Sequence, residues 1–195
     1  IIRGGVFFLF VCAFSIVQAQ SSTTQEDYVM KWKDEAVRQM ELYKIPASIT
    51  LAQGILESGN GISELAKKSN NHFGIKCHKD WTGGRTYHDD DEKGECFRVY
   101  DDPRDSYEDH SKFLLKNRYA RLFKLDLEDY KGWAKGLSKC GYATNPKYPQ
   151  LLITLIERHE LYKLDTGDWV DEGEAVADAS KARKSNKLHT SRTLH

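Results

Sequence analysis

The sequence predicts a mainly α-helical domain carrying a small β-hairpin lobe, and three observations lead there. Tyr28, Trp32, Ala36 and Met40 recur every fourth residue between Asp27 and Tyr43, the spacing that lines up one face of a helix. A second run, Ile49, Leu51, Ala52, Ile55 and Leu56, is apolar on most sides, as a helix buried in a core would be. Between residues 81 and 100 the pattern changes to short β-prone segments, Arg85-Thr86-Tyr87 and Cys96-Phe97-Arg98-Val99-Tyr100, on either side of the acidic loop His88 to Gly94.

The remaining elements follow in order. Pro46 suits the first turn of the apolar helix, and Ser58-Gly59-Asn60-Gly61 ends it, because glycine and asparagine tolerate the left-handed backbone that closes helices. A short helix is expected from Ile62 to Lys68. Asp102-Pro103 opens another, with Tyr107, His110, Phe113 and Leu114 on one side. Further helices are expected over Tyr119 to Leu125, Leu127 to Ser138 and Pro149 to Leu161, and the domain is expected to close near Asp165.

The ends differ from this body. Residues 1–19 combine Arg3, the apolar run Val6 to Val17 and the small-residue site Val17-Gln18-Ala19, which reads as a secretory signal peptide. The run is too short for a bilayer span, which needs about 20 apolar residues, so no stable membrane span is expected after processing. Beyond Asp165 the apolar periodicity stops. Residues 166–195 are read as a flexible charged linker or tail, since they hold too little apolar surface to offset the entropy of ordering them. The body between, residues 27–165, is expected to be the one folded domain and to hold whatever catalytic site the chain carries.

Composition sets further bounds. With 195 residues the chain has room for one compact domain plus appendages. Lysine plus arginine and aspartate plus glutamate balance at 29 each, so no overall field favours nucleic acid. An exported chain permits a disulfide among Cys77, Cys96 and Cys140; Cys77 and Cys96 bracket the predicted hairpin and are placed to face each other across it. A zinc site is disfavoured, because no Cys-x-x-Cys or His-x-x-x-His spacing accompanies the thiols.

Candidate chemistry centres on Glu57. It stands where the apolar helix breaks, so its carboxyl is expected at the edge of the core, half-buried and facing a cleft, where partial burial keeps a carboxyl protonated. A protonated carboxyl beside a sugar groove is what glycosidic cleavage requires, because the leaving oxygen takes a proton as the bond breaks. The loop Asp89-Asp90-Asp91-Glu92 offers a second carboxylate for water on the far face of the sugar. It lacks the alternating spacing of a calcium loop. His72, His78, His88, His110 and His159 form no helical ligand pair and read as packing or surface residues. The aromatics Trp81, Tyr87, Tyr142 and Tyr148 exceed what loops need, and stacking on sugar faces is one outlet for them; Tyr100 reads as core.

Four ordered blocks carry a family resemblance: Leu51-Ala52-Gln53-Gly54-Ile55-Leu56-Glu57-Ser58-Gly59-Asn60-Gly61, Asn71-His72-Phe73-Gly74-Ile75-Lys76, Phe97-Arg98-Val99-Tyr100, and Gly141-Tyr142-Ala143-Thr144-Asn145-Pro146-Lys147-Tyr148. Together, over Tyr28 to Leu164, the chain resembles the bacterial glucosaminidase domain, glycoside hydrolase family 73, which includes flagellum-associated peptidoglycan hydrolases and autolysins. The resemblance implies a lysozyme-like helical fold with a β-lobe and cleavage on the reducing side of N-acetylglucosamine in peptidoglycan. It puts the general acid on Glu57, a sugar-positioning tyrosine on Tyr142 and a second acid on Asp90. Phe73, Trp81 and Tyr148 are the aromatic residues expected to contact the sugar. The family more often has glutamate at the second position and a longer stretch before the Phe-Arg block, so Asp89, Asp91 and Glu92 stay open, as does a route assisted by the substrate's own acetamido group.

The expected function is therefore that of an exported endo-β-N-acetylglucosaminidase acting on peptidoglycan glycan strands, with no metal or organic cofactor and no nucleic-acid partner. A muramidase or lytic transglycosylase on a related fold, and a noncatalytic wall-binding module, are the alternatives.

Overall fold

In the computed structural model the described residues are 14–79, 81–89 and 93–171, with side chains from residue 25 onward. Most of the expected signal peptide and the tail beyond Asp171 lie outside them. Seven α-helices and one two-stranded sheet are present among the described residues: α1 (Phe14–Tyr43), α2 (Ala47–Ser58), α3 (Glu64–Ser69), β1 (Gly84–His88), β2 (Glu95–Val99), α4 (Pro103–Leu114), α5 (Tyr130–Lys139), α6 (Tyr148–Arg158) and α7 (Tyr162–Thr166). None of the described helices is long and apolar enough to cross a membrane.

The centre of the core is α2. Ten of its twelve residues are buried, and it packs against α1, α5, α6 and α7. That explains a sequence apolar all round, since a surface helix keeps one polar face. Tyr28, Trp32 and Ala36 of α1 are buried against it, as the four-residue spacing predicts. Close approach depends on Gly54, where a β-carbon would fall 2.4 Å from the Tyr28 hydroxyl oxygen. Pro46 supplies no side-chain cap to α2. Asp165 of α7 does so from a distance, accepting from the Ser48 backbone N–H at 2.9 Å and from its hydroxyl. Burial pushes the Asp165 carboxyl up to about 6, against the lowering effect of those hydrogen bonds.

Several boundaries move from their expected places for local reasons. The stretch expected as a helix from Tyr119 to Leu125 is instead two single 3₁₀ turns, Asn117–Tyr119 and Leu122–Lys124. The next helix starts at Tyr130 rather than Leu127, because Asp126 first turns the chain by accepting from the Glu128 N–H, and Asp129 then caps the helix through the Gly132 N–H. Folded chain continues past Asp165, through α7 to Asp171, whose carboxylate pairs with Lys33 at 2.8 Å.

In the β-lobe, β1 and β2 pair antiparallel with Tyr87 opposite Cys96. The Cys77–Cys96 disulfide is present, but it does not cross this hairpin. Residues 75–77 lie along the other edge of β2, with Cys77 N–H to Cys96 O at 2.7 Å and Arg98 N–H to Ile75 O at 3.0 Å, and the bridge joins that third segment to the sheet. Cys140 is a free thiol.

Two of the ordered sequence blocks turn out to be the frame of this lobe. Asn71 fixes its own loop, with its amide donating to Ile75 O and Arg98 O and its oxygen accepting from the Ile75 N–H. Arg98 and Tyr100 both converge on Asp109 of α4, the arginine through two hydrogen bonds and the tyrosine through its hydroxyl. Lobe and helices are thus tied by a partly buried, charge-assisted cluster. Closing a 19-residue separation, the disulfide is expected to contribute about 3 kcal/mol by limiting the unfolded chain. Urea unfolding of a Cys77→Ser, Cys96→Ser double variant against the oxidised parent measures it, and equal midpoints would show that the bridge adds nothing.

Candidate active site

Glu57 reaches solvent because of how α2 ends. Gly59 takes the left-handed conformation (φ 56°) and its N–H returns to Ile55 O; Asn60 and Gly61 also have positive φ. Ser58 locks this turn, its hydroxyl donating to Gly54 O and accepting from the Gly61 N–H at 2.7 Å. Glu57 is therefore held in the last turn of an otherwise buried helix. Its side chain is exposed rather than half-buried, opening directly into a cleft.

That cleft, about 390 Å³, separates the β-lobe from the helices. Phe73, Gly74, Ile75, Lys76 and His78 form the lobe side, and Phe113, Arg118, Tyr119 and the segment Gly141 to Thr144 form the other. The Gly141 segment follows a helix end of the same kind: Gly141 is left-handed (φ 71°), and the Tyr142 N–H reaches back to Leu137 O at 3.0 Å. Asn145 then starts α6, its side-chain oxygen accepting from the Lys147 N–H and its carbonyl from the Tyr148 N–H.

As the first residue of α6, Tyr148 points inward beneath Glu57. Its hydroxyl donates to Glu57 Oε1 at 2.9 Å and accepts from Gln53 Nε2, also at 2.9 Å. Tyr142 stacks on it, with ring centres 5.7 Å apart. Burial holds both phenols far above their ordinary titration range, and the nearby Glu57 adds to the shift, so both stay protonated at any working pH.

Not every residue expected at the site is brought there. Glu57, Tyr142 and Phe73 line the cleft together. Phe73 is 4 % exposed and is mostly packing, stacked on His110 at 4.0 Å and edge-on to Tyr107. Tyr148 lies under the cleft instead of on its surface, 3 % exposed and packed into the core. Trp81 lines a separate depression with Tyr100, Asp101 and Glu108; its indole N–H donates to Gly84 O and its ring lies against Arg98. Of the acidic loop, Asp89 accepts the Gly94 N–H at 2.8 Å, whereas Asp90, Asp91 and Glu92 lie outside the described residues. Lys76 and Arg118, to which sequence reasoning assigned no role, and His78, read there as a packing or surface residue, also line the cleft. Gln53 was also missed, although a polar residue one helical turn before the glutamate in an apolar helix is a visible signal.

Comparison with known proteins places the chain in a family and a fold. Residues 33–161 match the family model Glucosaminidase, described as mannosyl-glycoprotein endo-beta-N-acetylglucosaminidase. Among curated relatives, the exo-glucosaminidase LytG of Bacillus subtilis is 35% identical over 137 residues, 64% of this chain and 48% of that protein. The peptidoglycan hydrolase FlgJ of Vibrio parahaemolyticus is 28% identical over 69% of this chain and 47% of its own length. The chain thus spans about half the length of the curated relatives it matches. Among solved structures, a peptidoglycan hydrolase from Sphingomonas sp. A1 superposes with a TM-score of 0.62 at 28% identity, covering 74% of this chain and 96% of that one.

Proposed function

The chain belongs to the glucosaminidase family, glycoside hydrolase family 73, and from that membership we propose that it is a peptidoglycan hydrolase, an endo-β-N-acetylglucosaminidase with Glu57 as general acid. The observation that carries the reading is the placement of one glutamate in a cleft, with the hydroxyl of the buried Tyr148 donating to one of its oxygens. Peptidoglycan glycan strands are the partner, and the cell envelope or its exterior is the place of action. Residues 1–19 act as the export signal.

In the free domain Glu57 is exposed, so the apolar surroundings that favour a protonated carboxyl come from the sugar chain that fills the cleft. Glu57 then gives its proton to the glycosidic oxygen as the C1–O bond breaks, and is left as a carboxylate. The Tyr148 hydroxyl strengthens its hydrogen bond as that charge develops. Tyr142, on the cleft wall, positions the sugar, and Phe73 supports the lobe side. Asp90 is the carboxylate we assign to the attacking water; if no loop carboxylate is needed, the 2-acetamido group of the substrate attacks C1 instead.

The bond cleaved is read from the products. Purified cell wall digested with the domain, reduced with borohydride and analysed by mass spectrometry should give fragments ending in reduced N-acetylglucosamine. Reduced muramic acid ends would make it a muramidase, and 1,6-anhydro ends a lytic transglycosylase. Release of single N-acetylglucosamine residues in place of internal fragments would make it exo-acting, like the relative LytG by name.

A further inference from the structure

We infer that Gln53 is a positioning residue for Glu57: its side-chain amide donates to the Tyr148 hydroxyl oxygen, which obliges that hydroxyl to donate to Glu57 and keeps the transferable proton on the other carboxyl oxygen. The inference rests on the reading of Glu57 as general acid.

Gln53 and Glu57 are four residues apart on α2, and the Tyr148 hydroxyl bridges them, 2.9 Å from Gln53 Nε2 and 2.9 Å from Glu57 Oε1. Gln53 is fully buried, and Tyr148 nearly so. A phenol has one proton to give. With an N–H already aimed at its oxygen, Tyr148 directs that proton to Glu57 Oε1. This oxygen is then an acceptor in both protonation states, and the acid proton resides on Oε2.

The opposite amide orientation would work against the chemistry. A Gln53 carbonyl facing Tyr148 would take the phenol proton and turn a lone pair toward Glu57. The tyrosine could then only accept the proton that the sugar needs, and after transfer a lone pair would face a carboxylate at 2.9 Å. Only a donating amide suits Glu57 before and after the reaction. Its stabilisation is greatest once the carboxylate has formed, so it acts on the rate more than on binding.

Gln53 also carries a local cost that packing does not explain. Its Oε1 has no hydrogen-bond partner among the described residues, and a buried, unpaired carbonyl is unfavourable. A methionine or leucine would fill the same place in an apolar helix without it. The amide N–H is what those residues lack.

The test compares Gln53→Met, Tyr148→Phe, the double variant and Glu57→Gln, following kcat, KM and the pH dependence of kcat on soluble glycan fragments. Gln53→Met should lower kcat about 10-fold, the worth of weakening one hydrogen bond to a charged group, with KM nearly unchanged. Its alkaline limb should move to higher pH, because a carboxylate that loses a donor holds its proton more firmly. Tyr148→Phe should move the limb the same way, and adding Gln53→Met to it should change neither rate nor limb further. Melting temperatures separate loss of fold from loss of rate, and Gln53→Leu serves as the second replacement if the methionine variant is unstable.

A wild-type profile in Gln53→Met, a limb displaced to lower pH, or an undiminished effect of Gln53→Met in the Tyr148→Phe background would each overturn the inference. Full turnover by Glu57→Gln would remove the general-acid reading itself. An inactive Glu57→Gln beside an unaltered Gln53→Met removes only the role of Gln53.

Discussion

Glu57→Gln is expected to lower turnover by roughly 100- to 10,000-fold, the range by which a positioned general acid accelerates bond cleavage. The replacement keeps the size of the side chain and an oxygen that can accept from Tyr148, but it has no proton to transfer. Folding should be unaffected, since the side chain is exposed and lies at the end of a helix whose turn is locked by Ser58 and Gly59. The measurement is release of reducing ends from purified peptidoglycan at equal concentrations of parent and variant, with melting temperature as the folding control. A variant that folds and hydrolyses at the parent rate would sink the mechanism, and a variant that is inactive yet still binds wall material fits it.

The second large effect is on stability in acid. Between pH 6.5 and 4 the domain is expected to lose several kcal/mol of unfolding free energy, because the unfolded chain protonates two histidines that the fold holds neutral. Burial pushes His110 down to about 3, and burial with the charge of Lys31 pushes His72 down to about 4. Groups lowered on folding contribute stability that is present above their ordinary value of about 6.5 and is lost as the pH falls toward their folded values.

Each histidine has a structural reason to stay neutral. The His72 Nδ1 lies 2.8 Å from the Tyr28 hydroxyl, itself 2.7 Å from that of Tyr107, and a neutral ring can end this chain as the acceptor. His110 has no hydrogen-bond partner for either ring nitrogen among the described residues, and its ring lies flat on Phe73. Asp165 works in the other direction. Its folded value near 6 is raised, so its contribution is present below about 4 and is lost as the pH rises through 6. One aspartate offsets the two histidines only in part.

His110→Phe is the decisive variant, since it keeps a flat ring on Phe73 and removes a group that must charge. Urea unfolding at pH 7, 5 and 4 should show a shallower decline for this variant than for the parent. An identical decline would mean that the acid sensitivity lies elsewhere.

Much of this molecule could be read from short stretches of chain. The turn that ends α2 follows from Ser58-Gly59-Asn60-Gly61 alone, and the start of α4 from Asp102-Pro103, where Asp102 and Asp105 form a reciprocal cap. The periodicity of Tyr28, Trp32 and Ala36, the all-round apolar character of α2 and the paired strands of the lobe are likewise patterns of a few residues. Such features are determined locally, because backbone preference and the sorting of apolar side chains act over one or two turns. Glu57 was legible for the same reason, as a lone carboxyl at the point where a buried helix runs out.

The company Glu57 keeps was decided by tertiary structure. Tyr148 is 91 residues away in sequence, and whether its ring meets sugar or its hydroxyl meets Glu57 depends on the angle at which α6 enters the core. Trp81 looked like a sugar platform by composition, but its indole N–H closes onto Gly84 O and its face is taken by Arg98. The Cys77–Cys96 pairing was foreseeable, whereas the edge of β2 that it closes was set by a third segment held through Asn71 and Arg98. Sequence by itself determined most of the helices, the two hairpin strands and the stop after α2, and which carboxyl stands at a helix end, although the stretch from Tyr119 to Leu125 formed 3₁₀ turns in place of a helix. Packing alone determined which distant side chains share a hydrogen bond, because contacts of that kind arise only after the entropy of closing long loops has been overcome by burial of the core.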